Sequence, residues 1–77
     1  MSGRLPALKG TEVVHALERA GLRVDRVKGS HHVMEHPEDP TRRTVVPVHA
    51  GRDIKRGLLR KIIEDAGLTV DEFIALL

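Results

Sequence analysis

The sequence predicts a small α+β domain in which helices cover one face of a three-stranded antiparallel sheet, in the order α-β-β-β-α(-α). Two stretches with helical spacing of apolar residues flank a central region in which apolar and polar residues alternate, as strands with one buried face require. Two short turns rich in Gly, Pro, Asp and Ser divide this region into three strands. A chain of 77 residues is too short for two domains of ordinary size.

The first helix follows a short lead-in. Residues 1–8 contain a glycine and a proline before any periodic pattern begins, so we expect them to be flexible and residues 9–77 to form a single domain. A helix is predicted from about Thr11 to Ala20, with Thr11 as its N-cap and Gly21 closing it. Its apolar stripe is formed by Val13, Val14, Leu17 and Ala20.

Three strands come next. The alternation in "LRVDRV" predicts strand 1 over 22–27, and the turn at 28–30 leads into strand 2, "HHVMEH", over 31–36. "PEDPT" breaks the pattern, and "RRTVVPVH" predicts strand 3 over 42–49. Because Pro47 cannot donate a hydrogen bond to a neighbouring strand, we expect strand 3 to lie at an edge of a simple meander.

Two helices close the chain. "LLRKIIEDAG" carries its apolar residues on one helical stripe and ends with Gly67 as the C′ residue. A short third helix is predicted in "LTVDEFIALL", because Thr69 and Glu72 have the spacing of a capping box. The two stripes are formed by Leu59, Ile62, Ile63 and Ala66, and by Phe73, Ile74 and Leu77.

The composition excludes several classes of protein. Without cysteine, the chain has neither a disulfide framework nor a cysteine-based zinc site. No apolar run approaches the roughly 20 residues that cross a bilayer, and the N-terminus lacks the apolar stretch of a signal peptide, so we expect a cytoplasmic protein that does not bind membranes. Phe73 is the only aromatic residue, which excludes recognition of single strands by stacking on an aromatic platform.

Charge is unevenly distributed along the chain. Residues 23–61 hold ten Lys or Arg against five Asp or Glu, while 62–77 hold four acids and no base. A basic region of this kind can bind a polyanion by displacing its counterions, although a solvated polar face gives the same pattern. Contact with a nucleic acid is therefore expected through phosphate and sugar.

The histidines of "KGSHHVMEH" do not have the spacing of a metal site. Neighbouring strand residues point to opposite faces, so His31 and His32 diverge. His32 and His36 share a face but lie about 13 Å apart at ~3.3 Å per residue, too far for one ion with nitrogen ligands at about 2.0–2.1 Å. His49 would add one ligand, but no third partner converges with it. We expect no metal and no other cofactor.

The pairing of strands 2 and 3 decides which histidine is exposed. A turn centred at 39–40 places His32 opposite Pro47 and Ser30 opposite His49. His32 and His49 are then diagonal neighbours on the open face of the sheet. In this register the layer under the helices is formed by Val33, Val46 and Val48, and His31 points toward the helices or the sheet margin. The open face is formed by His32, Met34, His36, Val45, Pro47 and His49.

His32 has the surroundings expected of a group that transfers protons near a phosphate. It follows the Gly29-Ser30 turn, whose N–H groups and hydroxyl can hold a phosphate. Histidine side chains ordinarily titrate near pH 6.5, so they can take or give the proton when an RNA 2′-hydroxyl attacks its adjacent phosphate. The cations able to stabilise charge on that phosphate are Lys28, Arg42, Arg43, Lys55 and Arg56.

Simpler interpretations apply to several of these residues. His15 and His36 are expected to be solvent-exposed histidines without a task, because nothing converges on them. For Ser30, a role in the turn or in anion binding is favoured over that of a nucleophile, since no Ser/His/Asp arrangement is present. "RDIKRGLLRK" is either an amphipathic helix with a solvated basic face or a helix N-terminus that meets phosphate, and the sequence leaves both open.

The sequence closely resembles the HicA toxins, also called the YcfA-like family. The resemblance runs from about Leu8 to Phe73, through "KGSHHVMEHP" and "TVVPVHAGRDIKRGLLRKIIEDAGLTVDEF". Each short motif is weak alone, but their order and spacing are specific. The chain departs from the family in its longer turn "PEDPTRR" and at Leu58, where the family often has a small polar residue. The implied fold is that of the double-stranded RNA-binding domain, which agrees with the layout above.

The resemblance also implies a function. The family consists of mRNA interferases, small endoribonucleases that inhibit translation and are neutralised by a HicB antitoxin. By motif, the catalytic histidine falls on His32, with Gly29 and Ser30 in the preceding turn and His49 in the PVH motif; His31, His49 and Ser30 are the residues expected to assist. One alternative is a non-catalytic module that binds double-stranded RNA through the same fold and charge. Another is a protein-binding adaptor, suggested only by the acidic and apolar C-terminus.

Overall fold

The computed structural model describes residues 4–77, whose elements follow the predicted order. The single sheet is antiparallel with strand order β1-β2-β3, so β3 lies at an edge as predicted from Pro47. The predicted α+β architecture is therefore confirmed. The helices are α1 (Gly10–Arg19), α2 (Arg56–Asp65) and α3 (Val70–Ile74), and the strands are β1 (Arg23–Lys28), β2 (His31–His36) and β3 (Asp39–Pro47).

Helix α1 begins at a glycine that lets it approach the sheet closely. Gly10 is buried, and a Cβ atom at this position would overlap the carbonyl oxygen of Pro47. The N-cap is Lys9 rather than the predicted Thr11. Its backbone N–H donates a hydrogen bond of 2.9 Å to Oε1 of Glu12, which satisfies one of the free donors at the helix start.

Part of the expected lead-in packs against the domain. Leu5 and Leu8 are both buried in the hydrophobic core. The backbone N–H of Ile54 donates a hydrogen bond of 2.8 Å to the carbonyl oxygen of Leu8, which ties this segment to the approach of α2. The first three residues lie outside the part of the chain that the structure describes.

Strand β3 begins three residues before the predicted start at Arg42. The turn that precedes it is confined to residues 37–38. The carboxylate of Asp39 accepts hydrogen bonds from the hydroxyl and the backbone N–H of Thr41, at 2.6 and 3.1 Å. The hydroxyl bond is the main cause that lowers the pKa of Asp39. Most of the "PEDPT" segment is therefore strand, and Pro40 is accommodated because β3 is an edge.

The observed pairing of β2 and β3 differs by one residue from the predicted register. His32 lies opposite Val46, and His31 lies opposite Pro47. Because side chains alternate along a strand, this difference exchanges the two faces of β2, while Val46 of β3 faces the helices as predicted. The prediction that His32 lies opposite Pro47 on the open face is therefore wrong, and His31 points to the open face rather than toward the helices or the sheet margin.

Burial agrees with this corrected register. Met34 and Val46 are fully buried on the helix-facing side, and Thr44 lies beside them. Val45 points to the open face and is 43% exposed. Val33 also lies on the open face but is buried, because it is the central residue between neighbouring strands.

The helices and β3 enclose one hydrophobic core. Helices α1 and α2 both pack on β3, and α3 packs on α2. Helix α3 has the predicted capping box: the Glu72 N–H donates to Oγ1 of Thr69 (3.1 Å), and the Thr69 N–H donates to Oε1 of Glu72 (2.8 Å). The fully buried side chains of largest volume are Phe73, Leu17, Leu22, Met34, Leu59, Ile62, Ile63, Val13 and Val46.

Strand β1 is not covered by this core. Each of its residues is exposed, and Val27 near its end is 54% exposed. On its helix-facing side, the sheet is therefore covered by helices at β3 and exposed to solvent at β1. Among residues 4–77, none of the helices has the length and apolar character needed to cross a membrane.

Candidate functional site

His32 lies at the boundary between the covered and the uncovered part of the sheet. Its neighbours across the strands are Val46 in β3, which is fully buried, and Val27 in β1, which is mostly exposed. The His32 side chain itself is half-buried. One side of the imidazole therefore faces the core, while the other borders the open strip along β1.

The ring nitrogen of His32 that faces the core has no partner. Nδ1 is buried and makes no hydrogen bond, although buried polar atoms in folded proteins are nearly always paired. None of the hydrogen bonds among residues 4–77 involves the other nitrogen, Nε2, either. Since Nδ1 is closed to solvent, the ring can exchange a proton with a substrate only through Nε2.

The Gly29-Ser30 turn joins His32 to His49. Gly29 has φ +60°, a conformation that favours glycine and reverses the chain between β1 and β2. The backbone N–H of Val48 donates to the carbonyl oxygen of Ser30 at 2.7 Å, which extends the β2–β3 register by one more pair. Ser30 and His32 thus share the helix-facing side. Ser30 is therefore paired with Val48 rather than with His49 as predicted, but Oγ of Ser30 still lies 3.4 Å from Nε2 of His49.

The other strand histidines do not join this group. His31 is exposed on the open face, on the opposite side of the sheet from His32. The ring of His36 lies at the far end of β2, where Nδ1 accepts a hydrogen bond of 3.1 Å from the Glu38 N–H. Its Nε2 would be 3.1 Å from a Cβ atom at Gly21. His36 therefore packs in the β2–β3 turn.

Two of the predicted RNA-binding cations make structural contacts. The Nε–H of Arg42 donates a hydrogen bond of 2.8 Å to the carbonyl oxygen of Ala66, at the C-terminus of α2. Arg43 forms an ion pair with Glu35 at 2.6 Å across the open face, and a longer one of 3.9 Å with Asp25. Both guanidinium groups lie away from the Ser30 turn.

The remaining predicted cations are exposed and lie nearer to that turn. Lys28 is the last residue of β1 and pairs with His31, next to the Gly29-Ser30 turn. Lys55 is the N-cap of α2, and Arg56 is its first residue. No side chain caps this helix start, and the first turn contains no acid, so its N–H groups add to the positive potential of the two side chains.

A cleft of about 270 Å³ opens between the end of β3 and the start of α2. We refer to it as the β3–α2 cleft. His49 lies in its wall, so the cleft adjoins the Ser30 turn. Its lining residues are Pro47, His49, Arg52, Asp53, Ile54, Lys55 and Leu58.

A second depression of about 320 Å³ follows the outer edge of β3. We refer to it as the β3 edge groove. It shares Leu58 with the β3–α2 cleft, so this side chain forms the wall between the two, and it is 44% exposed. The lining residues of the groove are Arg43, Thr44, Val45, Leu58, Lys61, Ile62 and Asp65.

The comparison with protein families identifies the chain. Residues 10–68, from the start of α1 to just before α3, match the family described as "HicA toxin of bacterial toxin-antitoxin". The chain belongs to the HicA toxin family. It is therefore the toxin of a toxin-antitoxin system and has a cognate antitoxin as its partner. Comparison with curated proteins found no match.

The matched region of this HicA toxin contains every candidate site residue predicted from the sequence, all of which lie between Lys28 and Arg56. The structure groups His32, Ser30 and His49 at one end of the sheet, with Lys55 in the cleft that His49 lines. Lys28 adjoins the Gly29-Ser30 turn but pairs with His31 on the open face. Among residues 4–77, no group of three or more His, Asp or Glu side chains has an arrangement that could hold a metal ion.

Sequence reasoning missed two residues of this region. Arg52 follows the Ala50-Gly51 turn and lines the β3–α2 cleft. Leu58 was noted only as a departure from the family pattern. A signal for it was present, because it lies next to Leu59 but off the buried stripe of α2, where a large apolar side chain remains exposed.

Proposed function

We propose that this HicA toxin is an mRNA interferase: a metal-independent endoribonuclease that cleaves mRNA and thereby blocks translation. His32 acts as the general acid or base. The proposal rests chiefly on the His32 imidazole, whose core-facing nitrogen is buried without a partner while the ring borders an uncovered strip of the sheet. Such an unpaired buried group costs stability, which is typical of residues retained for function. Membership in a toxin family agrees with this interpretation.

The chemistry requires two proton transfers and no cofactor. The RNA 2′-oxygen forms a bond to its adjacent phosphorus, and the bond from phosphorus to the 5′-oxygen of the next nucleotide breaks. The products are a 2′,3′-cyclic phosphate and a free 5′-hydroxyl. One proton leaves the 2′-hydroxyl and one is delivered to the 5′-oxygen. His32 performs one of these transfers through Nε2, and general acid-base catalysis of this kind contributes about 10² to 10⁴-fold.

The neighbours of His32 supply the rest of the site. The Gly29-Ser30 turn and Lys28 hold the scissile phosphate, and the positive groups at the start of α2, Lys55 and Arg56, stabilise the charge on its oxygens. His49 is placed to assist because its Nε2 is 3.4 Å from the Ser30 hydroxyl. The contacts of Arg42 and Arg43 favour structural roles for these two residues over RNA binding.

The proposed partners are mRNA as substrate and a HicB-type protein as the antitoxin that neutralises the toxin. Membership in the HicA family supports both proposals. A small reading frame for a HicB-like protein beside the toxin gene would support the assignment.

The decisive test replaces His32 and maps RNA ends. Expression of the wild-type protein should arrest growth and create new mRNA 5′ ends, whereas His32→Ala and His32→Gln should do neither. Glutamine can fill the position of Nε2 but cannot exchange a proton at neutral pH. His15→Ala, an exposed histidine on α1, is the matched control and should cleave like the wild type.

Two further measurements separate the alternatives. Cleavage by the purified toxin should persist in excess EDTA, while loss of cleavage there indicates a metal-dependent nuclease. Circular dichroism and antitoxin binding should be unchanged in the His32 variants. Undiminished cleavage by His32→Ala refutes the assignment of His32. A protein that binds double-stranded RNA but cuts no RNA is the non-catalytic module.

A further inference from the structure

We propose that the β3–α2 cleft binds one nucleoside of the RNA, beside the scissile phosphate, with its base against Leu58 and its phosphate held by Arg52 and Lys55. This assignment rests on the proposed nuclease function and specifies where that substrate lies.

The size and lining of the cleft fit a single base. Its volume is about 270 Å³, and an apolar cavity of about 150 Å³ is large enough for benzene. Pro47, Ile54 and Leu58 give it apolar walls. Leu58 is 44% exposed although it is large and apolar, so a base that covers it removes apolar surface from water. The chain has no aromatic side chain at the cleft, and this leucine provides the flat apolar contact instead.

The charges of the cleft favour an anion. Among residues 4–77, Arg52 and Lys55 form no ion pair, so both cations are available to a phosphate. The only acid in the lining, Asp53, already pairs with Lys9 at 3.6 Å.

The β3 edge groove provides the contrast. Of the cations in its lining, Arg43 pairs with Glu35 at 2.6 Å and Lys61 pairs with Asp65 at 3.4 Å. Two depressions that share the Leu58 side chain therefore differ in charge. Of these two depressions, only the β3–α2 cleft combines an apolar wall with cations that form no ion pair, and this is the combination that a nucleotide requires.

The cleft is also connected to the proton-transfer site. His49 lies in its wall, and Nε2 of His49 is 3.4 Å from the hydroxyl of Ser30. Ser30 shares the helix-facing side of the sheet with His32. A nucleoside in the cleft would therefore direct the adjoining scissile phosphate toward the Ser30 turn, where His32 acts on it.

The test measures binding in the His32→Ala background, so that cleavage does not interfere. Adenosine 5′-monophosphate is titrated into ¹⁵N-labelled protein, and ribose 5-phosphate serves as the same molecule without the base. We expect saturable shifts of backbone amides in residues 48–58, with tighter binding of the nucleotide than of the sugar phosphate. Amides lining the β3 edge groove at Lys61 and Asp65 should not shift.

Substitution of the apolar wall gives the sharper result. Covering the 44% of Leu58 that is exposed recovers about that share of its full burial energy, so Leu58→Ser should weaken nucleotide binding about 3- to 9-fold. Binding of ribose 5-phosphate should stay the same. Leu77→Ser is the matched control, because Leu77 is 48% exposed and lies outside the cleft, and it should change neither affinity. Arg52→Ala should weaken the binding of both probes.

The outcomes distinguish this proposal from the nuclease assignment. Equal binding of the two probes, or an unchanged nucleotide affinity in Leu58→Ser, overturns the nucleoside site even if the wild-type protein cleaves RNA. Cleft amides that shift with purified antitoxin but with neither probe also overturn it and indicate a protein-docking surface. Conversely, undiminished cleavage by His32→Ala refutes the assignment of His32 while nucleotide binding in the cleft still stands.

Discussion

Replacing His32 with leucine should make the protein more stable while it loses activity. Nδ1 of His32 is a buried polar atom without a hydrogen bond, and the neighbours of the ring on both strands are valines. A leucine has a similar volume and no polar atom. The substitution therefore removes an unsatisfied group from the edge of the core without creating a large cavity.

The magnitude follows from the cost of the unpaired atom. Leaving a buried donor or acceptor unsatisfied costs about 1–3 kcal/mol. Because His32 is only half-buried, we expect the lower part of this range, an increase of about 1 to 2 kcal/mol in the free energy of unfolding. For a domain of this size, each kcal/mol raises Tm by roughly 4–8 °C.

Thr44→Val is the control that separates stability from function. Oγ1 of Thr44 is the second buried atom without a partner among the described residues, and Thr44 lies on the same side of the sheet. Valine has nearly the same shape as threonine, so the free energy of unfolding of this variant should also increase by about 1 kcal/mol or more. It should still cleave RNA and arrest growth, since the hydroxyl lies under the helices rather than at the Ser30 turn.

Urea unfolding at equilibrium, followed by circular dichroism, measures both variants against the wild type. The expected result is a higher midpoint at an unchanged m-value for each, with cleavage lost only in His32→Leu. Increased stability of Thr44→Val combined with decreased stability of His32→Leu would refute the reasoning. It would mean that Nδ1 is satisfied in solution and that the histidine is kept for structural reasons.

Three other predictions concern the frame around the site. Gly10→Ala should lower the free energy of unfolding by about 1–3 kcal/mol, because the added Cβ atom overlaps with the sheet. Gly57→Ala in α2 should raise the free energy of unfolding by about 0.4–1 kcal/mol, because the added Cβ atom meets open space. Thermal denaturation distinguishes the two variants. Hydrogen bonds in the capping box lower the pKa of Glu72, so the contribution of Glu72 to stability is present above the ordinary pKa of 4.5 and declines as the pH falls through the pKa of the folded state. Glu72→Gln should reduce this loss of stability at acid pH in urea titrations. An unchanged acid dependence would contradict the role of Glu72 in it. Arg42→Ala should cost about 1.5–3 kcal/mol of stability with little effect on RNA affinity, while Lys28→Ala should weaken RNA binding and reduce its salt slope by about 1.

The order of the elements could be predicted from the sequence because local signals determine it. The helical stripes, the turn at Gly29 and the capping box of Thr69 each depend on residues close together in the chain. The edge position of β3 likewise follows from one residue, Pro47, which cannot donate to a neighbouring strand. None of these features requires knowledge of how distant segments meet.

The register of β2 and β3 could not be predicted from the alternation of apolar and polar residues. Val33 and Met34 are both apolar, and so are Val45 and Val46, so alternation does not show which member of each pair is buried. The predicted register depends on a turn centred at 39–40, whereas the turn lies at 37–38 and the pairing shifts between Glu35 and His36. In addition, a polar residue, Thr44, is buried under the helices.

The contacts of the arginines could not be predicted either, because they depend on tertiary structure. The partner of Arg42 is a carbonyl group 24 residues further along the chain, at the end of α2. Arg43 pairs across the strands with Glu35, which requires the observed register. A charged residue in a basic segment resembles a phosphate ligand until its partner is known.

The different positions of the two adjacent histidines follow from this same register. Burial of Met34 and Val46 on the same side holds β2 and β3 in one alignment, and a slip of β2 by one residue would expose Met34 while moving His32 to the open face. The core thus determines which imidazole lies on the same side of the sheet as Ser30. His31, one residue earlier, is directed to the opposite face beside Lys28. If His32 carries out the cleavage, the specificity of the site for one histidine of the pair is a consequence of packing under the helices.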